Sequence, residues 1–314
     1  TSMVPVVLDT QPIFDVVFSV SSADTGEATV SPSTLTFTSS NWSTSQYVTI
    51  TGVNDDVDDG DQETTVTISV VDGSSDDAFD PLANQAVTVT TTDDDEAGYT
   101  LSATSVTVTE AGSTATFTVV LDTQPSTNVV LTVTSADTGE ATVSPSTLTF
   151  TNGNWDSAQT VTATGVNDVV DDGDQETTIT VAVDDANSDN AYDSVADSTV
   201  TATTADDDTA GYTLSDTTAT VAEGPLISTS MVPVVLDTQP ISDVVFSVSS
   251  ADTGEATVSP ATLTFTSSNW STSQYVVITG VDDDVDDGDQ ETTVTVSVVD
   301  ASSDDTYDPL SNQT

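Results

Sequence analysis

The chain has 314 residues with 53 aspartates and glutamates, no lysine, arginine, histidine or cysteine, and a formal charge of −53. Without cationic side chains it cannot displace counterions from nucleic acid or settle on an anionic membrane surface, and without His, Cys or Lys it cannot build a Ser-His-Asp, Cys-His or His/Cys-zinc centre. What survives is carboxylate chemistry: a glycosidase pair, or oxygen ligation of a hard cation such as calcium or magnesium.

The sequence repeats. L-D-T-Q-P begins at Leu8, Leu121 and Leu236, spacings of 113 and 115 residues, and Trp42, Trp155 and Trp270 keep the same offsets, as do Gly60, Gly173 and Gly288. Residues 1–86 and 229–314 align without gaps and differ at about ten positions. The expected units are 1–97, 98–210 and 211–314. The first lacks its opening strand and the third its closing strand, which implies a continuing tandem array or strands supplied by neighbouring subunits. No run approaches the ~18 apolar residues of a membrane span, and no basic-then-apolar leader is present, so a signal peptide or anchor is expected outside this segment. Disorder is the plain alternative for so acidic a Ser/Thr-rich chain, and the strand patterns argue against it.

In the complete middle copy, strands are expected at about 99–109, 114–122, 129–136, 147–151, 159–166, 177–184 and 198–205. T-A-T-F-T-V-V-L from Thr114, V-V-L-T-V-T from Val129 and T-T-I-T-V-A-V from Thr177 alternate with period two and are rich in strand-favouring Thr, Val and Ile. Seven strands in about 113 residues, with no helical periodicity, read as an all-β fold. The expected architecture is tandem seven-stranded Ig-like sandwiches in an elongated rod, the terminal ones incomplete.

If successive strands alternate in direction, ten carboxylates share one pole: Glu110, Asp137, Glu140, Asp168, Asp171, Asp172, Asp174, Asp206, Asp207 and Asp208. Each like-charge pair at roughly 5 Å costs ~0.8 kcal/mol even at the dielectric of water. A divalent cation would turn that repulsion into attraction. A halophile-type acidic surface, the alternative, predicts acids spread over exposed strand faces. The loop N-D-D-V-D-D-G-D-Q-E at Asn54–Glu63 is not an EF-hand: counted from Asp55, position three is Val57 and position twelve is Val66, where oxygen ligands are required.

V-T-E-A-G at Val108–Gly112, L-T-F at Leu148–Phe150, N-D-x-V-D-D-G-D-Q-E at Asn167–Glu176 and D-D-D at Asp206–Asp208 together resemble the Calx-beta family. This is the calcium-binding sandwich of sodium–calcium exchangers, also found in tandem in large bacterial surface proteins. The resemblance covers each full repeat, and the chain is also similar to Thr/Asp-rich repeats of giant bacterial adhesins. It implies calcium ligands at Glu110, Asp168, Asp172, Asp206, Asp207 and Asp208 in the middle copy. In the first copy it implies Asp55, Asp59, Asp93, Asp94 and Asp95, and in the third Glu223, Asp283 and Asp287. The family's acidic-tyrosine dipeptide is missing, leaving open whether Asp137 or Glu140 replaces it.

Trp42, Trp155 and Trp270 read as packed loop anchors, with glycan stacking as the alternative. Asn41, Asn269 and Asn312 lie in N-x-[ST] sequons. A glycosidase pair duplicated in every repeat of a rod without a cleft is disfavoured, so no enzymatic activity is expected. The expected function is a structural segment of an extracellular, cell-surface prokaryotic fibre or adhesin shaft, with calcium stiffening the junctions. Partners would be neighbouring repeats or like subunits along a fibre, with cell-surface glycans as a further candidate. The alternatives are a subunit polymerising by strand donation and a glycan- or surface-binding adhesin module. Gly98 and Gly211, just past the acidic triplets, read as short hinges once metal is removed.

Overall fold

The computed structural model describes residues 1–314 apart from Pro225, Asp286 and Asp287. The chain is all-β, three Ig-like sandwiches in tandem, and helix among the described residues is confined to 3-10 turns of three residues. Each copy has its own core. One buried cluster gathers around Val16, Phe37 and Val48, a second around Phe117, Leu131 and Ile179, and a third around Val244, Phe246 and Phe265.

Period-two patterning builds the middle sandwich. Along Thr114–Leu121, Phe117, Val119 and Leu121 are buried while Thr118 and Val120 between them are only half-buried. Opposite them, Val129, Leu131 and Val133 fill the facing layer from strand Val129–Ser135. Burying each such side chain contributes about 1.5–3 kcal/mol. One sheet orders Ala141–Ser144, Gln159–Gly165, Thr114–Leu121 and Tyr99–Leu101; the other orders Thr147–Phe150, Val129–Ser135, Gln175–Val183, Ser198–Ala205 and Ser105–Thr109.

The segment expected as one opening strand divides between the two sheets. Tyr99–Leu101 pairs antiparallel with Val119–Leu121, whereas Ser105–Thr109 runs parallel to Thr201–Ala205. Inward parity shifts between Tyr99 and Val106, with the small S-A-T-S run making the crossing. Ala141–Ser144 is a further short strand, held against Gly165–Thr162 and turned inward at Ala141.

The first copy has sheets of three and four strands and the third has sheets of four and three. In the first, Gln85–Thr91 pairs with Gln62–Ile68 and has no strand on its other side among the described residues; in the third, Val294–Val298 pairs with Phe246–Ser250 and touches Gln313 through a single bridge.

Both glycines read as hinges take part in backbone hydrogen bonds. Gly98 O accepts from Asp122 N at 2.9 Å and Gly211 O from Asp237 N at 2.8 Å. A Cβ on Gly98 would lie 2.7 Å from Asp122 Oδ2, and one on Gly211 would lie 2.5 Å from Asp237 Oδ2. A side chain at either glycine would have to displace an aspartate carboxylate, the far end of a movable side chain.

Candidate metal centre

Backbone pairing delivers the carboxylates. Glu110 follows strand Ser105–Thr109, with its N–H donating to Ala205 O at 3.1 Å, and Gly112, at φ 82°, closes the turn behind it. Asp206 follows the neighbouring parallel strand. Asp206 accepts from Gly173 N at 2.8 Å through Oδ2 and from Asp208 N at 2.8 Å through Oδ1, which ties the triplet to the acidic loop. That loop is shaped by Asp168, whose Oδ1 accepts from Val170 N at 2.8 Å, and by Gly173, whose φ of 73° reverses the chain.

Two groups result. Glu110, Asp206 and Asp208 each present an oxygen within 4.8 Å of the others, and Glu140, Asp168 and Asp172 do the same. Glu110 is 1% exposed and its Oε2 has no hydrogen-bond partner. Glu140 Oε2 and Asp172 Oδ1 are likewise buried and unpartnered. Burial first, then the charges of Asp168, Asp206, Asp208 and Asp172, push the Glu110 carboxyl up to about 7. Burial and then Asp172 and Asp168 raise Glu140, and burial and then Asp206 and Asp207 raise Asp208. Because Glu110 feels Asp168 and Glu140 feels Asp206, the two groups share one field. Hard, oxygen-only donors without any basic partner fit calcium or magnesium. The orphaned buried oxygens would be free to coordinate such an ion.

Not every expected residue joins. Asp207 is exposed and belongs to neither group, whereas its exposed counterpart Asp94 lines the acidic hollow of the first copy. Asp171 accepts from Ala210 N at 2.7 Å and Asp174 from Asp206 N at 3.2 Å, so both serve the backbone. Asp137 Oδ1 accepts from Gly139 N at 2.8 Å. In the first copy Asp55, Asp59, Asp93 and Asp95 surround a shallow hollow together with Glu27. Burial and then Asp59 and Asp55 raise Glu27. Backbone donors from Asp95 and Gly60 hold Asp93 below the usual carboxylate range. In the third copy Glu223 is exposed, and its Oε1 accepts from Asp283 N at 3.1 Å. Asp287 lies outside the described residues.

Glu140 and Glu27 are the acids that stand beside the acidic loop where the dipeptide is missing. Their signal in the sequence is D-T-G-E-A-T-V, present at Asp24, Asp137 and Asp252. The aspartate and glycine make a turn that leads directly into a strand, and Glu stands at its foot. The tryptophans pack against the cores while Trp155 O accepts from Leu121 N at 3.2 Å, as loop anchors do.

No protein-family model matches the sequence, and no curated relative matches it. Among solved structures, domains 4 and 5 of the S-layer protein SbsC are 21% identical, covering 60% of this chain and 70% of that one, with a TM-score of 0.30. Domains 4–9 of SbsC are 16% identical over 90% of this chain and 37% of that one, TM-score 0.30. CBD12 from CALX1.2 is 14% identical over 64% of this chain and 80% of that one, TM-score 0.28. Identities and TM-scores this low carry no functional argument.

Proposed function

We propose that the chain is a non-enzymatic structural segment of an extracellular surface fibre or adhesin shaft, with divalent cations, calcium foremost, held at the acidic pole of its repeats. The observation that carries this reading is Glu110: a carboxylate 1% exposed, unpartnered at Oε2 and facing Asp206 and Asp208 in a chain without one basic side chain. A buried charge left in that state costs several kcal/mol, and a cation removes the cost. Glu110, Asp206 and Asp208 would hold one ion, and Glu140, Asp168 and Asp172 a second. Repeats 1–97, 98–210 and 211–314 are the proposed units of the shaft, joined where the acidic triplets end. Calorimetry of the whole chain with calcium tests the reading. Heat with more than one ion bound per chain supports it, and absence of both heat and a melting shift overturns it.

A second reading is supported by the sheet edges. The outer sides of Gln85–Thr91 and Val294–Val298 have no partner strand among the described residues. Strands from a neighbouring segment, on the same chain or another, would complete them.

A further inference from the structure

The acidic loop makes the same contact with the following repeat at both junctions. Asp56 O accepts from Gln124 N at 2.6 Å, and Val169, which occupies the place of Asp56, accepts through its O from Gln239 N at 2.7 Å. Both donors are the glutamines of L-D-T-Q-P corners. The loop also holds the linker: Asp58 accepts from Ala97 N at 2.8 Å and Asp171 from Ala210 N at 2.7 Å. Between loop and corner, Val57 lines a cleft with Thr123, Gln124, Pro125 and Tyr192 of the next copy.

Burial follows docking. Val57 and Val170 are half-buried, whereas Val285, at the same loop position in the third copy with no copy described after it, is 60% exposed. On the corner side, Gln124 and Gln239 are half-buried and Thr123 and Thr238 buried at 3%, while Thr10 and Gln11 of the first copy are exposed.

We infer that the L-D-T-Q-P corner of each repeat is a receptor for the acidic loop of the repeat before it, and that docking and metal loading are coupled because one loop performs both. The inference rests on the metal reading above. Asp55 and Asp59 bracket the docking residues Asp56 and Val57, so fixing the loop for either partner narrows it toward the conformation the other needs. Coupling of this kind is reciprocal: an ion at one repeat tightens the grip on the next, and the next repeat raises affinity for the ion. Of the three loops, the third copy's is expected to bind metal most weakly in this chain.

The test uses the full chain with calcium as the probe and two uncharged variant pairs. Gln124→Pro with Gln239→Pro removes the corner N–H donors without touching a carboxylate, and Val57→Ser with Val170→Ser weakens the loop side. Calorimetry reads affinity and stoichiometry, and small-angle scattering reads the maximum dimension with and without calcium. Coupling predicts unchanged stoichiometry, affinity reduced about fivefold or more, and loss of the calcium-dependent change in dimension. Variants that bind calcium as the unaltered chain does and keep that change overturn the inference while leaving the metal reading intact. Failure of the unaltered chain to bind calcium sinks both. Should the proline pair not fold, as judged by circular dichroism, the serine pair decides on the same criteria.

Discussion

Glu110 and Asp206 sit side by side because Thr109 and Ala205 are partners in a parallel ladder, and the next residue on each strand is an acid. Parallel pairing sends both chains out of the sheet at the same end, so distant parts of the repeat deliver carboxylates to one point. In the third copy no strand among the described residues pairs with residues 217–222, and Glu223 is exposed where Glu110 is buried.

Glu110→Gln is therefore expected to act in opposite directions with and without metal. In chelator at pH 8 it relieves a buried charge and stabilises the middle repeat by up to roughly 3 kcal/mol, the worth of moving a carboxyl from 4.5 to about 7. With calcium it removes a ligand, and the calcium-induced melting shift shrinks. Paired melts of both proteins in chelator and in calcium check this. A variant less stable than the unaltered chain in chelator would show that the buried carboxylate has support from the fold.

Gly165→Ala is expected to cost about 3 kcal/mol or more, because its Cβ would lie 2.2 Å from the backbone oxygen of Thr109, beside the metal centre. The equivalent Gly52→Ala meets only the Thr91 side chain, at 3.2 Å, and is expected to cost about 1 kcal/mol. Denaturant unfolding of the two variants compares them directly. Equal losses would mean that the 109–112 turn yields easily.

Much of this was readable from the residues. Alternation located the strands, and assuming alternate strand direction was enough to bring Glu110, Glu140, the acidic loop and the acidic triplet to one end. Two features were not readable. The crossing of 99–109 between sheets depends on parallel pairing with 201–205, a contact between distant segments that leaves only a parity shift in the local sequence. Within the acidic loop, alternate aspartates face a carboxylate triad or the backbone according to hydrogen bonds that composition does not reveal: Asp172 joins a triad while Asp171 holds Ala210 N.

At the opposite pole Asp189 and Asp304 behave in the reverse sense, although burial and neighbouring aspartates raise Asp80 and Asp308 there. Burial pushes the Asp189 carboxyl up, but Ser126 Oγ at 2.7 Å, Thr127 N at 2.8 Å and Ala191 N at 3.2 Å outweigh it and hold the group below its usual 3.8. Asp304 is held low in the same way by Ile241, Ser242 and Thr306. A lowered folded pKa contributes stability above 3.8 that is lost as pH falls through the folded value. Glu110, raised, contributes stability below 4.5 that is lost as pH climbs toward about 7. The calcium-free chain is thus expected to be most stable at about pH 4–5, and Asp189→Asn to flatten the acid limb alone. Melting temperature against pH in chelator gives the answer; a maximum near pH 7 would contradict it.

Calcium and simple salt separate a bound ion from a diffuse acidic surface. Sodium chloride screens all 53 acids, with a Debye length of about 8 Å at 0.15 M, longer than the 4.8 Å within each triad. Screening therefore relieves repulsion between the groups more than repulsion inside them, where Glu110 Oε2 and Asp172 Oδ1 remain unpartnered. A calcium ion supplies its charge at that point. Calcium at about 100 times its dissociation constant stabilises the domain that binds it by about 2.7 kcal/mol, which for a repeat of roughly 100 residues moves the melting temperature on the order of 10 °C. Sodium chloride at matched ionic strength is expected to give a small fraction of that shift, and magnesium an intermediate one, because it demands stricter octahedral geometry and sheds water reluctantly. Scanning calorimetry in the three salts at equal ionic strength makes the comparison. Equal shifts in all three would assign the acids to a solvated surface and remove the case for a metal centre.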